Sequence, residues 1–238
     1  MKIKVMTYNI HHGKGLDKKV DLSRIAEVIS TSKADIIGLN EVDKQFSKRS
    51  HFIDQIHFLA SKLNFYFAFS PSLTVKSREA DMIRQYGNGI LSRFPILKSQ
   101  PYLLNFLPQI IEGRSILETT ITVNGKVLNV YVTHLSLNPF LHKRQSELII
   151  NHIKNPAIIL GDWNMKPYTR KWKRVVKRYN DVWHEAGEGR GFTYPSNNPR
   201  MRLDYIFTSK EFKILNAEIS NDMPIASDHL PLVTTLTI

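Results

Sequence analysis

Four consecutive apolar residues, Ala157-Ile158-Ile159-Leu160, run straight into Gly161-Asp162-Trp163-Asn164, and this stretch narrows the possible folds most. A strand with one face in water alternates apolar and polar residues; an unbroken apolar run reads as a strand covered on both faces. Such a strand needs a packed layer on each side. Its end, where the chain leaves the sheet, is where α/β folds often carry chemistry. Gly161, Asp162 and Asn164 are also turn formers, so a simple turn and a functional site both remain open at this point.

The other segments supply the layers. "KIKVMTYN" reads as a strand ending at Asn9, and "ADIIGLNEV" as a second buried strand ending near Glu41. Between them, "DLSRIAEVISTSK" puts Leu22, Ile25, Ala26 and Ile29 on one helical face, with Asp21 as N-cap. "HFIDQIHFLASKL" predicts a second amphipathic helix with Phe52, Ile56, Leu59, Ala60 and Leu63 inward, followed by a short aromatic strand, "FYFAFSPSL". Residues 74–87 read as a polar loop, and "GNGILSRFPI" as a strand that Pro95 ends or pushes to an edge. Asn124-Gly125 between two alternating runs predicts a hairpin with a two-residue turn. A helix over 140–153, a basic helix over about 169–179 and closing strands "RLDYIFTS" and "LVTTLTI" complete the pass. Hairpins in the middle and helices toward both ends fit two packed sheets with helices on their outer faces. No Pro/Gly/Ser-rich linker and no repeat divides the chain, so residues 1–238 are expected to form one domain.

The sequence contains no cysteine, which excludes disulfides, thiolate metal sites and a cysteine nucleophile. A metal would have to sit on oxygen or imidazole ligands, which suits magnesium or manganese. Lys plus Arg number 33 against 21 Asp plus Glu, a net charge of +12 that favours polyanionic partners such as nucleic acid or anionic phospholipid headgroups. The N-terminal residues lack the apolar core of a signal peptide and no stretch approaches a membrane span, so a cytoplasmic protein without a transmembrane segment is expected, with a monomer as the simplest state.

Asn9, Glu41, His134, Asp162, Asn164, Asp204, Asp228 and His229 all lie at or near the ends of apolar runs. A single histidine at a strand end is more often structural than functional. Eight polar groups at strand ends, brought side by side, would form an acidic, imidazole-lined cleft suited to a hard divalent cation and a phosphate.

The segments "TYNI", "GLNEVD", "GNGILSRFPI", "THLSL", "GDWN", "RLDYIF" and "SDHLPL" occur in this order between residues 7 and 232. They resemble the endonuclease/exonuclease/phosphatase superfamily, which includes DNase I, exonuclease III, the neutral sphingomyelinases and the inositol polyphosphate 5-phosphatases. Within it, "TYNIHHGKGLDKKVDLSRIAEVI" with "NEVD" looks most like a branch of small bacterial metal-dependent hydrolases. The resemblance implies a four-layer α/β/β/α sandwich of two mixed sheets, the DNase I-like fold. It also implies a Mg2+-dependent (or Mn2+-dependent) phosphoester hydrolase acting on nucleic acid, as a nuclease does, or on a phospholipid headgroup. A phosphomonoesterase and a non-catalytic polyanion-binding module on the same fold are the alternatives.

Carried over position by position, the resemblance makes Glu41 the main metal ligand, with Asn9 beside it and Asp228 close by. Asp162 orients or deprotonates the attacking water. Asn164 holds a phosphate oxygen. His229 contacts the scissile phosphate and exchanges a proton, with Asp204 fixing its tautomer and stabilising its charged form, and His134 stabilises charge on the phosphoryl oxygens. Whether Asp162 or His229 is the base stays open. Asn88 and Arg114 are candidate substrate contacts, and Glu79 a candidate buttress for His134. Where exonuclease III-like relatives carry an acidic or amide residue two positions after the first Asn, this chain has His11. That departure weighs against an abasic-site nuclease and makes His11 a candidate phosphate contact, while His12 reads as a solvated loop residue.

Overall fold

The computed structural model describes residues 2–76, 83–104 and 113–237. Strand β1 (Lys2–Asn9) leads through helix α1 (Leu22–Ser32) to β2 (Ile36–Lys44), and helix α2 (Gln55–Leu63) leads to β3 (Tyr66–Lys76) and β4 (Ile83–Ser92). Strands β5 (Ile96–Leu103), β6 (Ser115–Val123) and β7 (Lys126–His134) follow, then helix α3 (Pro139–His152), β8 (Ala157–Asp162) and helix α4 (Arg170–Val176). The chain ends with β9 (Asn180–Asp181), helix α5 (Val182–Ala186), β10 (Asp204–Thr208), β11 (Lys213–Ile219) and β12 (Leu232–Thr237).

Two six-stranded mixed sheets result, in the orders β11-β12-β1-β2-β4-β3 and β5-β6-β7-β8-β10-β9. Each has one parallel pair near its centre, β1 with β2 and β7 with β8, flanked by antiparallel neighbours. Val5, Ile36, Val130, Val132, Ile158, Leu160 and Ile206 form the core between the sheets. Met6, Ile37 and Leu39 pack outward against Ile25 and Ile29 of α1 and Ile56 and Leu59 of α2. Ala157, Ile159 and Phe207 pack outward against Ile149 of α3 and Trp172 and Val175 of α4. The unbroken apolar run is thereby explained: Ile158 and Leu160 meet the other sheet, while Ala157 and Ile159 meet helices. Each such side chain, fully buried, contributes about 1.5–3 kcal/mol. Among the described residues no helix is long and apolar enough to cross a membrane.

Beneath the strand ends, one glycine sets how closely two neighbouring strands approach and another how closely the two sheets approach. Gly161 has φ +143°, and a Cβ there would lie 1.8 Å from the Thr133 carbonyl oxygen of β7. A Cβ on Gly38 would lie 2.7 Å from that of Leu160 in the facing sheet. No side chain fits at either place.

Asp21 caps α1 as expected, accepting from the backbone N–H of Ser23 and Arg24. Asn124 and Gly125 form the expected turn, with φ 49° and 81°. Other expectations are corrected. The described part of 74–87 is strand, with Thr74 opposite Gln85 and Val75 opposite Arg84; pairing rather than burial holds these polar residues, so alternation gives no signal. Helix α2 begins after an Asp54 cap that accepts from His57 N–H, which leaves Phe52 outside it at φ 54°. The basic helix stops at Val176, although Tyr179 beyond it is still buried. Edge strand β11 escapes a pattern search because a bulge between Ile214 and Asn216 shifts its register and most of its side chains face water.

Candidate active site

The topology gathers the polar strand ends at one edge. Parallel β1 and β2, and parallel β7 and β8, run toward it, while β10 and β12, antiparallel to β8 and β1, start from it. Asp204, first in β10, lies opposite Asp162, last in β8. His229 precedes β12 in a loop tied down by several bonds, among them Ser196 N–H to the Asp228 carbonyl (2.8 Å). Ser227 Oγ donates to the Asn9 carbonyl (2.8 Å), Ser196 Oγ donates to the Ser227 carbonyl (2.6 Å), and Leu230 N–H donates to the Thr193 carbonyl (2.8 Å). The Tyr194 ring packs 4.8 Å from the imidazole.

His229 Nδ1 bonds Asp204 Oδ2 at 2.8 Å, and its Nε2 lies 3.8 Å from Asp162 Oδ2. Burial by itself would lower the His229 pKa; the charge and hydrogen bond of Asp204 more than reverse this and lift it to about 10. Burial pushes the Asp162 carboxyl up to about 7, and the Asp204 charge adds to the rise against the pull of His229. His134 is held well below its ordinary value by burial, then by the charges of Arg114 and His229. A charged imidazole and a neutral one therefore flank one carboxyl group, with His134 Nε2 3.6 Å from Asp162 Oδ2.

Asn164, at φ 45°, donates its backbone N–H to Asp162 Oδ1 at 2.9 Å. Its Nδ2 donates to the Leu135 carbonyl (2.9 Å) and lies 3.1 Å from His134 Nε2, which accepts in the neutral ring. Both amide hydrogens are thus engaged. A bond from this amide to a phosphate oxygen, as expected from the sequence, requires releasing one of those partners.

On the first sheet's side, a register shift between Leu39 and Val42 places Glu41 at φ 58°. Asn9 Nδ2 sits between two carboxylates, 3.1 Å from Glu41 Oε1 and 3.3 Å from Asp162 Oδ2, and Asn9 Oδ1 accepts from His11 N–H. His11 and His12 both have positive φ, and their ring nitrogens lie with a Glu41 oxygen in one group within 4.8 Å. His11 Nδ1 is 3.6 Å from Asp228 Oδ1. His12 is buried rather than solvated, because the turn folds back onto α2, where Gln55 Nε2 donates to the His12 carbonyl at 2.8 Å. Carboxylate and imidazole donors without a thiolate suit a hard divalent cation, so the residues present fit such an ion.

Residues 6–229 match the Endonuclease/Exonuclease/phosphatase family. The chain belongs to that family. Among solved structures, an endonuclease/exonuclease/phosphatase from Beutenbergia cavernae is 24% identical, with a TM-score of 0.86 over 100% of this chain and 72% of its own. The mannosyl-6-phosphatase Bt3783 of Bacteroides thetaiotaomicron is 17% identical, with a TM-score of 0.79 over 99% of this chain and 100% of its own. The human Nocturnin catalytic domain with bound sulfate is 20% identical, with a TM-score of 0.72 over 99% of this chain and 94% of its own. These likenesses carry the fold, the DNase I-like α/β sandwich of the family's hydrolases. Comparison with curated proteins gives no match.

In this family member the sequence reading missed Asn40. It is fully buried, yet it joins the two sheets directly beneath the cleft. Its Oδ1 accepts from Asp162 N–H (2.8 Å), and its Nδ2 donates to the Thr133 carbonyl (3.0 Å) and to Asn88 Oδ1 (2.8 Å). The available signal was an amide inside the apolar run "IIGLNEV", next to Glu41. Asn88 is not brought to the cleft; its Nδ2 donates to the carbonyl (3.0 Å) and hydroxyl (3.2 Å) of Ser115 inside the sandwich. Arg114, only 9% exposed, acts on the cleft through its charge at His134. Glu79 lies outside the described residues.

Proposed function

We propose that the protein is a divalent-metal-dependent phosphoester hydrolase that acts by in-line water attack on a phosphodiester of nucleic acid or of a phospholipid headgroup. The reading takes the chain as one catalytic domain. The observation that carries it is the Asp204–His229–Asp162 arrangement, an imidazole bonded at 2.8 Å to one buried carboxylate with its other nitrogen 3.8 Å from a second. Glu41, with Asn9 and Asp228 beside it, would hold the cation, and His11 stands close enough to join them. A bound cation supplies positive charge that offsets the phosphate and the developing alkoxide.

Asp162 takes the proton of the attacking water. The new O–P bond forms as the bond to the leaving oxygen breaks on the opposite side, and the departing alkoxide takes its proton from solvent. His229 Nε2 and Asp162 share one side of the cleft, 3.8 Å apart. His229 therefore binds a phosphoryl oxygen rather than protonating a leaving group that departs opposite the water. Asp204 keeps the imidazole charged and oriented. Neutral His134, whose Nε2 accepts from Asn164, can meet a phosphoryl oxygen through that nitrogen only if the ring carries its proton there and the Asn164 bond is released. A panel of bis(p-nitrophenyl) phosphate, plasmid DNA, RNA, phosphatidylglycerol, cardiolipin, sphingomyelin and a phosphomonoester tests the reading, each with magnesium or manganese and with EDTA. Turnover should vanish in chelator and return with either ion, and Glu41→Ala should need far more metal. Full activity in chelator would sink the proposal.

A further inference from the structure

Large apolar side chains left in water gather around one side of the cleft. Among the described residues five large hydrophobics are more than 60% exposed, and four of these, Leu103 (61%), Leu137 (74%), Phe140 (61%) and Tyr168 (64%), belong to the active-site edge of the second sheet. Leu103 ends β5 opposite Ser115, and β6 pairs on to β7 near its end, so Leu103 emerges at the same edge as His134. Leu137 and Phe140 follow His134 by three and six residues, and Tyr168 follows Asn164 by four.

These segments are held by buried groups. Gln145, 2% exposed, accepts from Ser136 N–H (2.9 Å) and donates to the Leu104 carbonyl (3.4 Å). His142 Nε2 donates to the Trp163 carbonyl at 2.7 Å, and Asn164 Nδ2 to that of Leu135 at 2.9 Å. A solitary exposed leucine needs no explanation. Four apolar side chains, each more than 60% exposed on firmly tied segments around one cleft, mark an interaction surface.

The surroundings are strongly basic. Residues 163–179 carry seven Lys or Arg and no Asp or Glu, and residues 135–146 add Lys143 and Arg144, again without an acid. Lys143, Arg144, Lys166 and Arg170 are exposed, and the Arg144 guanidinium lies 5.5 Å over the Phe140 ring. Apolar tips flanked by cations match a membrane interface, where side chains enter the acyl boundary and Lys and Arg meet anionic headgroups. A single-stranded nucleic acid platform would instead present stacking rings, and leucine, which supplies two of the four side chains, has no π face.

We propose that this rim docks on the surface of an anionic phospholipid bilayer and turns the cleft toward the headgroups. The inference rests on the phosphoester-hydrolase reading of the cleft and narrows its substrate class to phospholipid headgroups. Co-sedimentation tests the docking without activity. The parent protein should pellet with vesicles of phosphatidylcholine plus phosphatidylglycerol and stay in the supernatant with phosphatidylcholine alone. The variant Leu137→Ser/Phe140→Ser/Tyr168→Ser should bind the mixed vesicles about a hundredfold less tightly or worse, given the value of each buried apolar side chain. Its melting curve should stay close to the parent's, since all three side chains are more than 60% exposed and only Tyr168 gives up contacts with other rings, those of Trp172 and His184. Lys143→Gln/Arg144→Gln/Lys166→Gln should weaken binding and flatten its dependence on salt.

Failure of the parent to pellet, or equal binding by the Ser variant, overturns the docking. So does capture of a labelled single-stranded oligonucleotide, rather than vesicles, with loss of that capture in the Ser variant. Hydrolysis of bis(p-nitrophenyl) phosphate by the parent, measured in parallel, separates the two claims. Vesicle binding without metal-dependent turnover defeats the reading of the cleft and leaves the docking standing; turnover without vesicle binding does the reverse.

Discussion

Asn40→Ala tests whether one amide couples the two sheets to the cleft. The side chain is fully buried and makes three hydrogen bonds, of 2.8, 3.0 and 2.8 Å. Alanine would strip the Asp162 N–H and Asn88 Oδ1 of these partners and take one donor from the Thr133 carbonyl. A buried polar group left unsatisfied costs about 1–3 kcal/mol, and water entering the vacated space recovers part of it. The unfolding free energy should therefore fall by about 2–5 kcal/mol, a large share of the stability of an ordinary domain. Urea denaturation at neutral pH reads this as a lower midpoint with an unchanged slope. Asn88→Ala removes the other end of one of the same bonds, so the double variant should lose less than the sum of the singles, by about 0.5–3 kcal/mol. Turnover should also drop while the protein is still folded, because Asn40 anchors the backbone of Asp162. A loss under about 1 kcal/mol, or strictly additive losses, would refute the coupling.

His229→Ala and Asp162→Ala should each lower kcat by about 10²–10⁴, Asp204→Asn by less, and the Asp204/His229 double variant by little more than His229→Ala; losses that multiply would show that the two do not act as a pair. His142, with its pKa lowered to about 4 by burial and by the Lys171 charge, binds a proton more readily unfolded than folded. Its contribution is therefore complete above about pH 6.5 and lost on acidification toward pH 4, about 2 kcal/mol by pH 5. Urea midpoints for the parent and His142→Gln should converge as the pH falls over this window, and a constant gap would show that His142 does not titrate there. Gly161→Ala puts a Cβ 1.8 Å from a backbone oxygen at φ +143°, so soluble, folded protein should be absent or its melting point far lower; a parent-like melt would contradict the close approach of β8 to β7.

Periodicity alone was sufficient for the layers. The apolar run 157–160 demanded cover on both faces, Asn124-Gly125 announced its hairpin, and Asp21 announced the start of α1, because each of these signals is local in the chain. The positions of Asp162 and Asp204 at strand ends and of His229 just before β12 were legible for the same reason, whereas Glu41, expected near the end of its strand, lies at a register shift inside β2. Features made by pairing between separate segments were not legible. Strand β11 is held by partners 13 to 24 positions ahead, and the polar parts of β3 and β4 by partners 7 to 11 positions apart, not by a burial pattern. Glu41, Asn164, His11 and His12 owe their aim to positive φ angles, which are uncommon outside glycine and which the surrounding contacts select. The inward turn of Asn88, the burial of His12 and the use of both Asn164 hydrogens follow from contacts with segments distant in the chain: Ser115 in the facing sheet, Gln55 of α2, and His134 and Leu135 at the end of the neighbouring strand. Residue type determined which groups could do chemistry here; only the stacking of two sheets, whose parallel strands end where antiparallel ones begin, decided which of them share a cleft.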